Sequence, residues 1–329
     1  MALPYRSVLK RGFYGVLSLL REDIRRASAH GRRRLLTVLC LHRVAPDPNP
    51  FWSPLHPRVF DELLRFLRRR YRVCTLDEAA DDPDCASDRR PWVAISFDDG
   101  YRDFVEYAMP LLHRHRVPVI QNVIAESMET GRPPWTVLLT DFLAAAPVAL
   151  LRELRIPGFD RPLRGSDPDH KASWGAALDR FLKLRPRAER AALWGPVQSL
   201  MECHGPFRTT VMMTPADVRE AVRLHEIGAH SHSHESMAYE SDEFFLDDLE
   251  RCRRWFAANG LPWRTYAFPN GSYRPVHLEL LRQRGITRIL LADDHLSART
   301  GPVYSRVSIT ASSVNEARLQ AAGFRATRP

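Results

Sequence analysis

The sequence predicts an α/β fold built on parallel strands, and three of its features indicate this. Apolar runs of strand length recur along the chain, amphipathic helical segments lie between them, and polar residues directly follow several of the runs. Strands that alternate with helices, each helix able to cross back over the sheet, are typical of parallel α/β architecture.

The chain is organised around the apolar run 93–97, which leads directly into Asp98, Asp99 and Gly100. The run predicts a buried strand and Gly100 the turn that ends it. Because an unpaired buried charge is strongly unfavourable, two carboxylates here indicate a function. Successive strand residues point to opposite faces unless the turn rotates one, so one carboxylate could hold a metal while the other takes a proton. The alternative is that the pair caps the helix predicted at 101–114.

The remaining elements follow from the same periodicities. Further strands are predicted at 35–41, 71–76, 117–124, 225–229, 265–268, 286–292 and 303–309, and further helices at 57–69, 214–223, 244–258, 276–284 and 314–321. Residues 81–90 are predicted as a surface loop, and residues 130–135 as a loop that presents Trp135 as a sugar-stacking rim. The segment 136–206, rich in Ala, Leu and Arg, is predicted as a helical insertion into the βα repeat.

Charge is concentrated at the N-terminus. Residues 1–34 carry nine Arg or Lys against Glu22 and Asp23, which leaves little of the net +9 for the rest of the chain. By charge, the body is therefore not a nucleic-acid-binding surface. Apolar residues from Tyr5 to Ile24 recur at helical spacing and predict one amphipathic basic helix of about six turns. Such a helix can lie on an anionic membrane or pack on the domain, and both interpretations stay open.

Length and composition set further bounds. The chain has 329 residues, 44% of them hydrophobic, which is enough for one large barrel or two smaller domains. We divide it into the basic segment 1–34 and a barrel domain 35–329. No apolar run reaches the roughly 18 to 20 residues of a membrane span, and no secretory signal is evident. We expect a cytoplasmic protein, with the inner membrane face as an alternative. The cysteines form no CxxC pair and are expected to be reduced: Cys40, Cys74, Cys85, Cys203 and Cys252.

His230 and His234 lie four residues apart, a spacing that can bring both imidazoles to one ion. With one of the two aspartates they would form a His₂Asp set, which suits a catalytic Zn²⁺ ion. Such an ion activates a bound water as nucleophile and polarises a carbonyl oxygen, which leaves the second aspartate as general base. The alternative is a polar surface loop. His232 is the weaker ligand candidate because it would crowd its neighbours.

These motifs resemble those of the polysaccharide deacetylase family, also called the NodB-homology family or carbohydrate esterase family 4. The resemblance covers about residues 35–320, with the insertion least typical. It rests on two specific motifs in the family's order, 96–100 (SFDDG) and 226–234 (EIGAHSHSH), supported by 41–44 (LHRV), 101–103 (YRD), 266–271 (YAFPNG) and 306–309 (RVSI).

The resemblance implies a distorted (β/α)₇ barrel and divalent-metal-dependent N-deacetylation of an amino sugar. It makes Asp98 the catalytic base and gives the metal to Asp99, His230 and His234. Zn²⁺ is the expected ion, with Co²⁺, Ni²⁺ or Mn²⁺ as alternatives. Ser231 would orient the histidine loop. The substrate groove would be lined by Pro269, Asn270 and Gly271, with a backbone N–H there that helps to stabilise the oxyanion.

The sequence departs from the family pattern in two places. The slot of the arginine that often holds the catalytic aspartate is Ala267, and we hypothesise that Arg306 replaces it. The run 290–293 lacks the histidine that usually serves as general acid. His42 and His295 are the candidates, and His42 is preferred because it ends a predicted strand.

The expected function is removal of N-acetyl groups from an amino sugar in a glycan or a lipid-linked glycan precursor. A catalytically silent carbohydrate-binding protein of the same fold, or a related sugar deformylase or amidase, are the alternatives.

Overall fold

A curled sheet of parallel strands forms the centre of the computed structural model, which describes residues 5–81 and 90–326. The strands are β1 (Leu36–Leu41), β2 (Arg72–Val73), β3 (Trp92–Phe97), β4 (Ile120–Val123), β5 (Glu226–Ala229), β6 (Thr265–Ala267), β7 (Arg288–Leu290), β8 (Val303–Tyr304) and β9 (Val307–Ser308). They follow the order β8-β7-β6-β5-β4-β3-β1-β9, with β2 also paired to β3. The two end strands, β8 and β9, are separated in the chain by only two residues, so the sheet curls until its ends approach. The predicted α/β fold with a distorted barrel is confirmed.

The pairing of β1 with β3 determines where the site lies. Every residue of both strands is buried, as expected for parallel strands covered on both faces. Their register runs from Leu36 opposite Trp92 to Leu41 opposite Phe97. The two strands therefore end at the same level, and the residues after Leu41 emerge beside those after Phe97.

Helices surround the sheet: α1 (Tyr5–Leu19), α2 (Glu22–Arg32), α3 (Pro57–Arg70), α4 (Leu76–Asp81), α5 (Met109–His115), α6 (Ala125–Thr130), α7 (Trp135–Ala145), α8 (Val148–Leu151), α9 (Pro168–Lys183), α10 (Arg187–His204), α11 (Pro215–Ala221), α12 (Asp242–Ala258), α13 (Pro275–Gln283) and α14 (Val314–Ala321). A π-helical turn, Phe104–Ala108, leads into α5. Thr214 caps α11, with Pro215 at its first position, as predicted. Among the described residues, no helix combines the length and the apolar character that a membrane crossing requires.

The prediction of one N-terminal helix is wrong. Two helices, α1 and α2, are separated at Leu20 and Arg21, where Arg21 adopts a left-handed conformation with φ of 56°. A left-handed residue ends the helical hydrogen-bond ladder and redirects the chain. Asp23, in the first turn of α2, is buried and forms an ion pair of 2.7 Å with Arg318 of α14. Both helices pack on α14.

Two strand predictions are also corrected. The strand predicted at 303–309 is divided into β8 and β9, because β8 pairs with β7 and β9 with β1 at opposite ends of the sheet order. The strand predicted at 71–76 shrinks to β2, because α4 begins at Leu76. Most of the loop predicted at 81–90, including Cys85, lies outside the described residues.

The helical insertion, α7 to α10, has an apolar core of its own, centred on Phe142, Trp174 and Leu178. It is joined to the barrel by a buried ion pair, in which Arg190 of α10 donates to both carboxylate oxygens of Glu235 at 2.6 and 2.5 Å. Because Glu235 directly follows His234, this ion pair connects the insertion to the loop that carries the two predicted histidine ligands.

Candidate metal and catalytic site

The polar residues predicted to be functional meet at the carboxyl ends of the strands. Asp98 and Asp99 follow β3, His42 follows β1, and His230 and His234 lie in the loop after β5. In a parallel sheet all carboxyl ends lie at one edge, where ligand sites of open α/β sheets also lie. The sheet thus assembles residues that are far apart in the chain.

Asp99, His230 and His234 form a compact, buried group. Oδ1 of Asp99 lies 3.2 Å from Nε2 of each histidine, and one ligand atom from each residue lies within 4.8 Å of the others. All three side chains are buried. The structure therefore brings together the three residues predicted as metal ligands.

Backbone conformation explains how adjacent residues reach one site. Asp99, Ser231 and His234 have φ angles of 77°, 63° and 58°. The left-handed turn at Asp99 rotates its carboxylate away from the alternation of an extended strand, so that both carboxylates face the cavity. Left-handed conformations are unfavourable for non-glycine residues and cluster at functional sites. Ser231 Oγ accepts a hydrogen bond of 2.8 Å from the backbone N–H of His234, which holds the loop as predicted.

The chemistry of the three residues fits a cation. Nδ1 of His230 lies 2.9 Å from the carbonyl oxygen of Ala267. Since a carbonyl only accepts, Nδ1 carries the proton and the lone pair of Nε2 faces Asp99 in the neutral ring. Oδ1 of Asp99 is buried without a hydrogen-bond partner among the described residues. An orphaned carboxylate oxygen between two imidazole nitrogens is a donor set suited to Zn²⁺ or a related divalent ion.

Asp98 is held by Arg306, a fully buried side chain in the short segment between β8 and β9. The two terminal nitrogens of Arg306 donate to Oδ1 and Oδ2 of Asp98 at 2.8 and 2.9 Å, and Nε donates to the carbonyl of Leu291 at 2.8 Å. This bidentate geometry is the contact hypothesised from the sequence. Cys40, His42 and Asp98 form a second close group, but the guanidinium on both oxygens of Asp98 disfavours a cation there.

Asn122 of β4 also holds Asp98, by donating a hydrogen bond of 2.7 Å to Oδ1. Gly228 makes room for this amide. A Cβ at Gly228 would lie 2.1 Å from Oδ1 of Asn122, so any larger residue would displace it. The glycine two residues before His230 therefore leaves room for the amide that holds Asp98.

The electrostatics keep both carboxylates ionised. Burial alone would raise the pKa of Asp98, but the Arg306 guanidinium and His230 outweigh burial and hold the pKa well below its usual range. Burial likewise opposes ionisation of Asp99, whose pKa is nevertheless lowered by His234 and His230. The two carboxylates in turn raise the pKa of His230 against the effect of its burial. The same negative potential favours a bound cation.

His42 lines the cavity with its ring 4.9 Å from the ring of Trp52, in an edge-on contact. Burial lowers its pKa, and the nearby charges of Asp99 and Asp98 only partly offset this effect. Tyr101 also lines the cavity, and burial together with the negative charge of Asp99 raises the pKa of its hydroxyl. Of the two candidate acids, His42 is therefore the one at the site; His295 does not line this cavity.

A cavity of about 540 Å³ opens above these residues, within the range that holds small molecules. Its floor includes the aspartates and histidines, and its sides include Phe268, Asn270 and Gly271. The insertion forms its roof, from Thr136, Val137 and Thr140 of α7 and Ala172, Gly175, Ala176, Asp179 and Lys183 of α9, with Phe51 and Trp52 beside them.

Several predicted residues occupy other positions. Trp135 begins helix α7 rather than lying in a loop. Its ring packs against Arg190 and Trp194 beside a separate, smaller cavity, because it belongs to the apolar core of the insertion.

Pro269 is buried below the turn whose Asn270 and Gly271 line the main cavity. The Gly271 N–H already donates to the Phe268 carbonyl at 3.2 Å, so it is not a free oxyanion donor. His232 faces Glu129 at 3.5 Å.

Sequence reasoning missed the contact of Asn122 with Asp98 and the position of Tyr101 in the cavity lining. Asn122 is a polar residue within the apolar run 117–124, and an amide in a buried strand requires a partner. Tyr101 directly follows the Asp98-Asp99-Gly100 turn. Both signals were present in the sequence, but neither indicated which carboxylate the residue contacts.

Comparison with known proteins supports the resemblance to polysaccharide deacetylases. A family model described as polysaccharide deacetylase matches residues 197–289, which include His230, His234 and Asn270. No curated protein sequence gives a significant match.

Three solved structures share the fold. Streptococcus pyogenes deacetylase PplD, solved in complex with acetate, is 14% identical, with a TM-score of 0.57 over 88% of this chain and 98% of that one.

IcaB from Ammonifex degensii is 20% identical, with a TM-score of 0.55 over 88% of this chain and 97% of that one. A de-N-acetylase from Aggregatibacter actinomycetemcomitans is 16% identical, with a TM-score of 0.51 over 82% of this chain and 93% of that one. At these identities the likeness shows a shared fold. Residues 197–289, which include the histidine loop, are thus similar to the polysaccharide deacetylase family, and the chain shares the fold of these solved deacetylases.

Proposed function

We propose that the chain is a divalent-metal-dependent hydrolase that removes the acetyl group from the nitrogen of an amino sugar. The observation that carries this proposal is the juxtaposition of the Asp99, His230 and His234 group with Asp98, itself held by Arg306. One part of the site is suited to holding a cation and the other to holding a separate, ionised carboxylate, and both face one cavity.

Asp99, His230 and His234 would hold the ion, for which Zn²⁺ is the first candidate and Co²⁺, Ni²⁺ or Mn²⁺ are alternatives. When bound, a divalent ion activates water and polarises the acyl carbonyl. Asp98 then serves as general base. Arg306 and Asn122 fix the direction of its carboxylate, and proton transfer depends on such positioning within hydrogen-bond reach.

The leaving amine needs a proton, and His42 is the residue that we assign to supply it. It lines the cavity beside Asp98, whereas the alternative, His295, lies outside the cavity lining. Burial favours the neutral ring of His42. The ring must therefore gain a proton during the reaction, and Asp98 is the neighbouring group that carries one after it acts as base.

The roof of the cavity bears on the substrate class. Helices α7 and α9 cover the floor residues, and apolar side chains such as Trp52, Val137 and Ala172 contribute to the walls. A covered, partly apolar cavity suits the end of a short or lipid-linked glycan precursor better than the interior of a long polymer. We therefore favour an N-acetylated sugar of this kind. The cytoplasmic location expected from the sequence stays a prediction, which cell fractionation would test.

The test measures acetate release from N-acetylated oligosaccharides and from lipid-linked N-acetyl sugars. It compares EDTA-treated, Zn²⁺-restored, Asp98→Asn and Asp99→Ala protein, with metal content measured for each. We expect acetate release to require metal, Asp98→Asn to keep metal without activity, and Asp99→Ala to lose both.

Other outcomes would refute the proposal in distinct ways. Stoichiometric metal and glycan binding without any acyl release would favour a binding protein. Release of formate instead of acetate, seen as a different mass loss from the substrate, would favour a deformylase. Full activity after removal of the metal would overturn the mechanism itself.

A further inference from the structure

An apolar stripe on α1 faces solvent. Leu9, Phe13 and Val16 of α1 lie four and three residues apart and so share one helix face. Leu20 directly follows the helix, and its N–H still donates to the Val16 carbonyl at 3.0 Å; we call these four residues the N-terminal stripe. Their exposed fractions are 54%, 53%, 55% and 71%, and the adjoining Leu19 is 83% exposed. The other large exposed apolar residues of the described chain lie singly, far apart in sequence. A contiguous exposed apolar patch marks an interaction surface, whereas single exposed residues do not.

Within the stripe, Phe13 contacts the barrel domain, with its ring edge-on to that of Phe324 at 6.0 Å, and it is still 53% exposed. Packing uses Tyr14, which is buried, accepts a hydrogen bond of 3.0 Å from Arg325, and has its ring 6.0 Å from that of Phe324. Lys10 adds an ion pair of 2.7 Å with Glu316 of α14. The helix is therefore fixed mainly through Tyr14 and Lys10, and the residues of the stripe each remain more than half exposed after these contacts are made.

The segment that carries the stripe, residues 1–34, is strongly basic. Nine basic residues and two acids lie within residues 1–34. Both acids are already paired, Glu22 with Arg25 and Arg26 and Asp23 with Arg318, whereas the side chains of Arg11, Arg21, Arg32 and Arg33 are exposed. Exposed apolar residues on a helix within a basic segment fit an anionic bilayer surface, where the helix lies in the interface plane.

We propose that the N-terminal stripe and the arginines around it dock this protein on an anionic lipid membrane, with α1 lying parallel to the surface. The apolar side chains enter the acyl boundary, and the arginines contact lipid phosphates. The proposal does not depend on the catalytic assignment, because neither α1 nor α2 contributes to the cavity lining.

The test is co-sedimentation of the full chain with phosphatidylcholine vesicles, with and without phosphatidylglycerol. We expect binding to the anionic vesicles, weaker binding to the neutral ones, and partial release by salt. Val16→Glu/Leu20→Glu should weaken binding at least about tenfold, because it places charge in the acyl boundary. Leu224→Glu, at a comparably exposed apolar residue outside the stripe, is the matched control and should bind like the parent.

Thermal melting shows whether the variants remain folded. The second test is Val16→Ser/Leu20→Ser, which adds no charge and should also weaken binding to the anionic vesicles. Parent protein that stays in the supernatant with anionic vesicles would overturn the proposal, as would stripe variants that bind undiminished. Size-exclusion chromatography tests a further alternative. A parent protein that does not bind vesicles and elutes as a dimer, which the stripe substitutions dissociate, would also overturn the proposal. The stripe would then be an interface between copies.

Discussion

Replacing Arg306 by Met tests whether this buried cation balances the charge of Asp98. The substitution approximately keeps side-chain length but removes the guanidinium that donates to both Asp98 oxygens, to Ser96 Oγ and to the Leu291 carbonyl. Arg306 is fully buried and Asp98 is 2% exposed, so solvent cannot replace the lost contacts. Removing one partner of a buried ion pair costs about 3–5 kcal/mol. This is a large part of the roughly 5–15 kcal/mol by which proteins are stable.

The assay is a double-mutant cycle by urea denaturation, in EDTA so that metal binding does not contribute. Arg306→Met, Asp98→Asn and the double variant are each compared with the parent. Either single change leaves one buried charge without its partner. We therefore expect the double variant to lose less stability than the sum of the two, by a coupling free energy of about 2–3 kcal/mol. Arg306→Lys, which keeps the charge but not the fork, should fall between the parent and Arg306→Met.

Additive losses from the two single changes, within about 0.5 kcal/mol, would refute the argument. A loss in the free energy of unfolding below about 1 kcal/mol for Arg306→Met would also refute it, because a buried carboxylate without its cation destabilises the folded state by more than this. In either case, Asp98 would be balanced by some other group, and the assignment of Arg306 would have to be abandoned.

Three further predictions concern other parts of the molecule. His234→Ala should abolish stoichiometric Zn²⁺ binding measured by mass spectrometry of desalted protein, whereas His232→Ala, in the same loop but facing Glu129, should retain it; equal loss would mean that the ligands are misassigned. Glu235→Ala should cost about 3–5 kcal/mol and make the insertion more sensitive to proteolysis, because it leaves buried Arg190 unpaired; an unchanged digestion pattern would contradict this. Burial, with a smaller contribution from His113, lowers the pKa of His225 to about 4, so the unfolded chain takes up a proton between about pH 6.5 and 4 that the folded state does not. Stability should fall by up to about 3 kcal/mol over that interval, and His225→Phe should lose this part of the pH dependence in denaturation curves.

Local sequence patterns were sufficient for most of the strands and helices and for the proximity of the candidate metal ligands. The apolar run before Asp98 and Asp99 indicated a buried strand, and strand ends in a parallel sheet share one edge, which brings these residues toward His230 and His234. The spacing of the two histidines was informative for the same reason, since both lie in one short loop. These inferences succeed because each depends on a few neighbouring residues and on one general property of parallel sheets.

Contacts between distant segments required the tertiary structure. After the break at Arg21, α2 pairs Asp23 with Arg318 of α14, near the other end of the chain. Trp135 turned inward because the insertion forms its own core. Periodicity carries no information about such contacts, since they depend on how separate units pack.

The sequence by itself determined that two carboxylates and two histidines lie at the end of a parallel sheet, because strand patterns and loop spacing are local properties. Only the tertiary structure decided how Asp98 is held. Arg306 reaches it from the segment between β8 and β9, where the ends of the sheet approach, and Asn122 reaches it through the space left by Gly228. Both contacts depend on the curvature and register of the whole sheet, which no single stretch of the chain encodes.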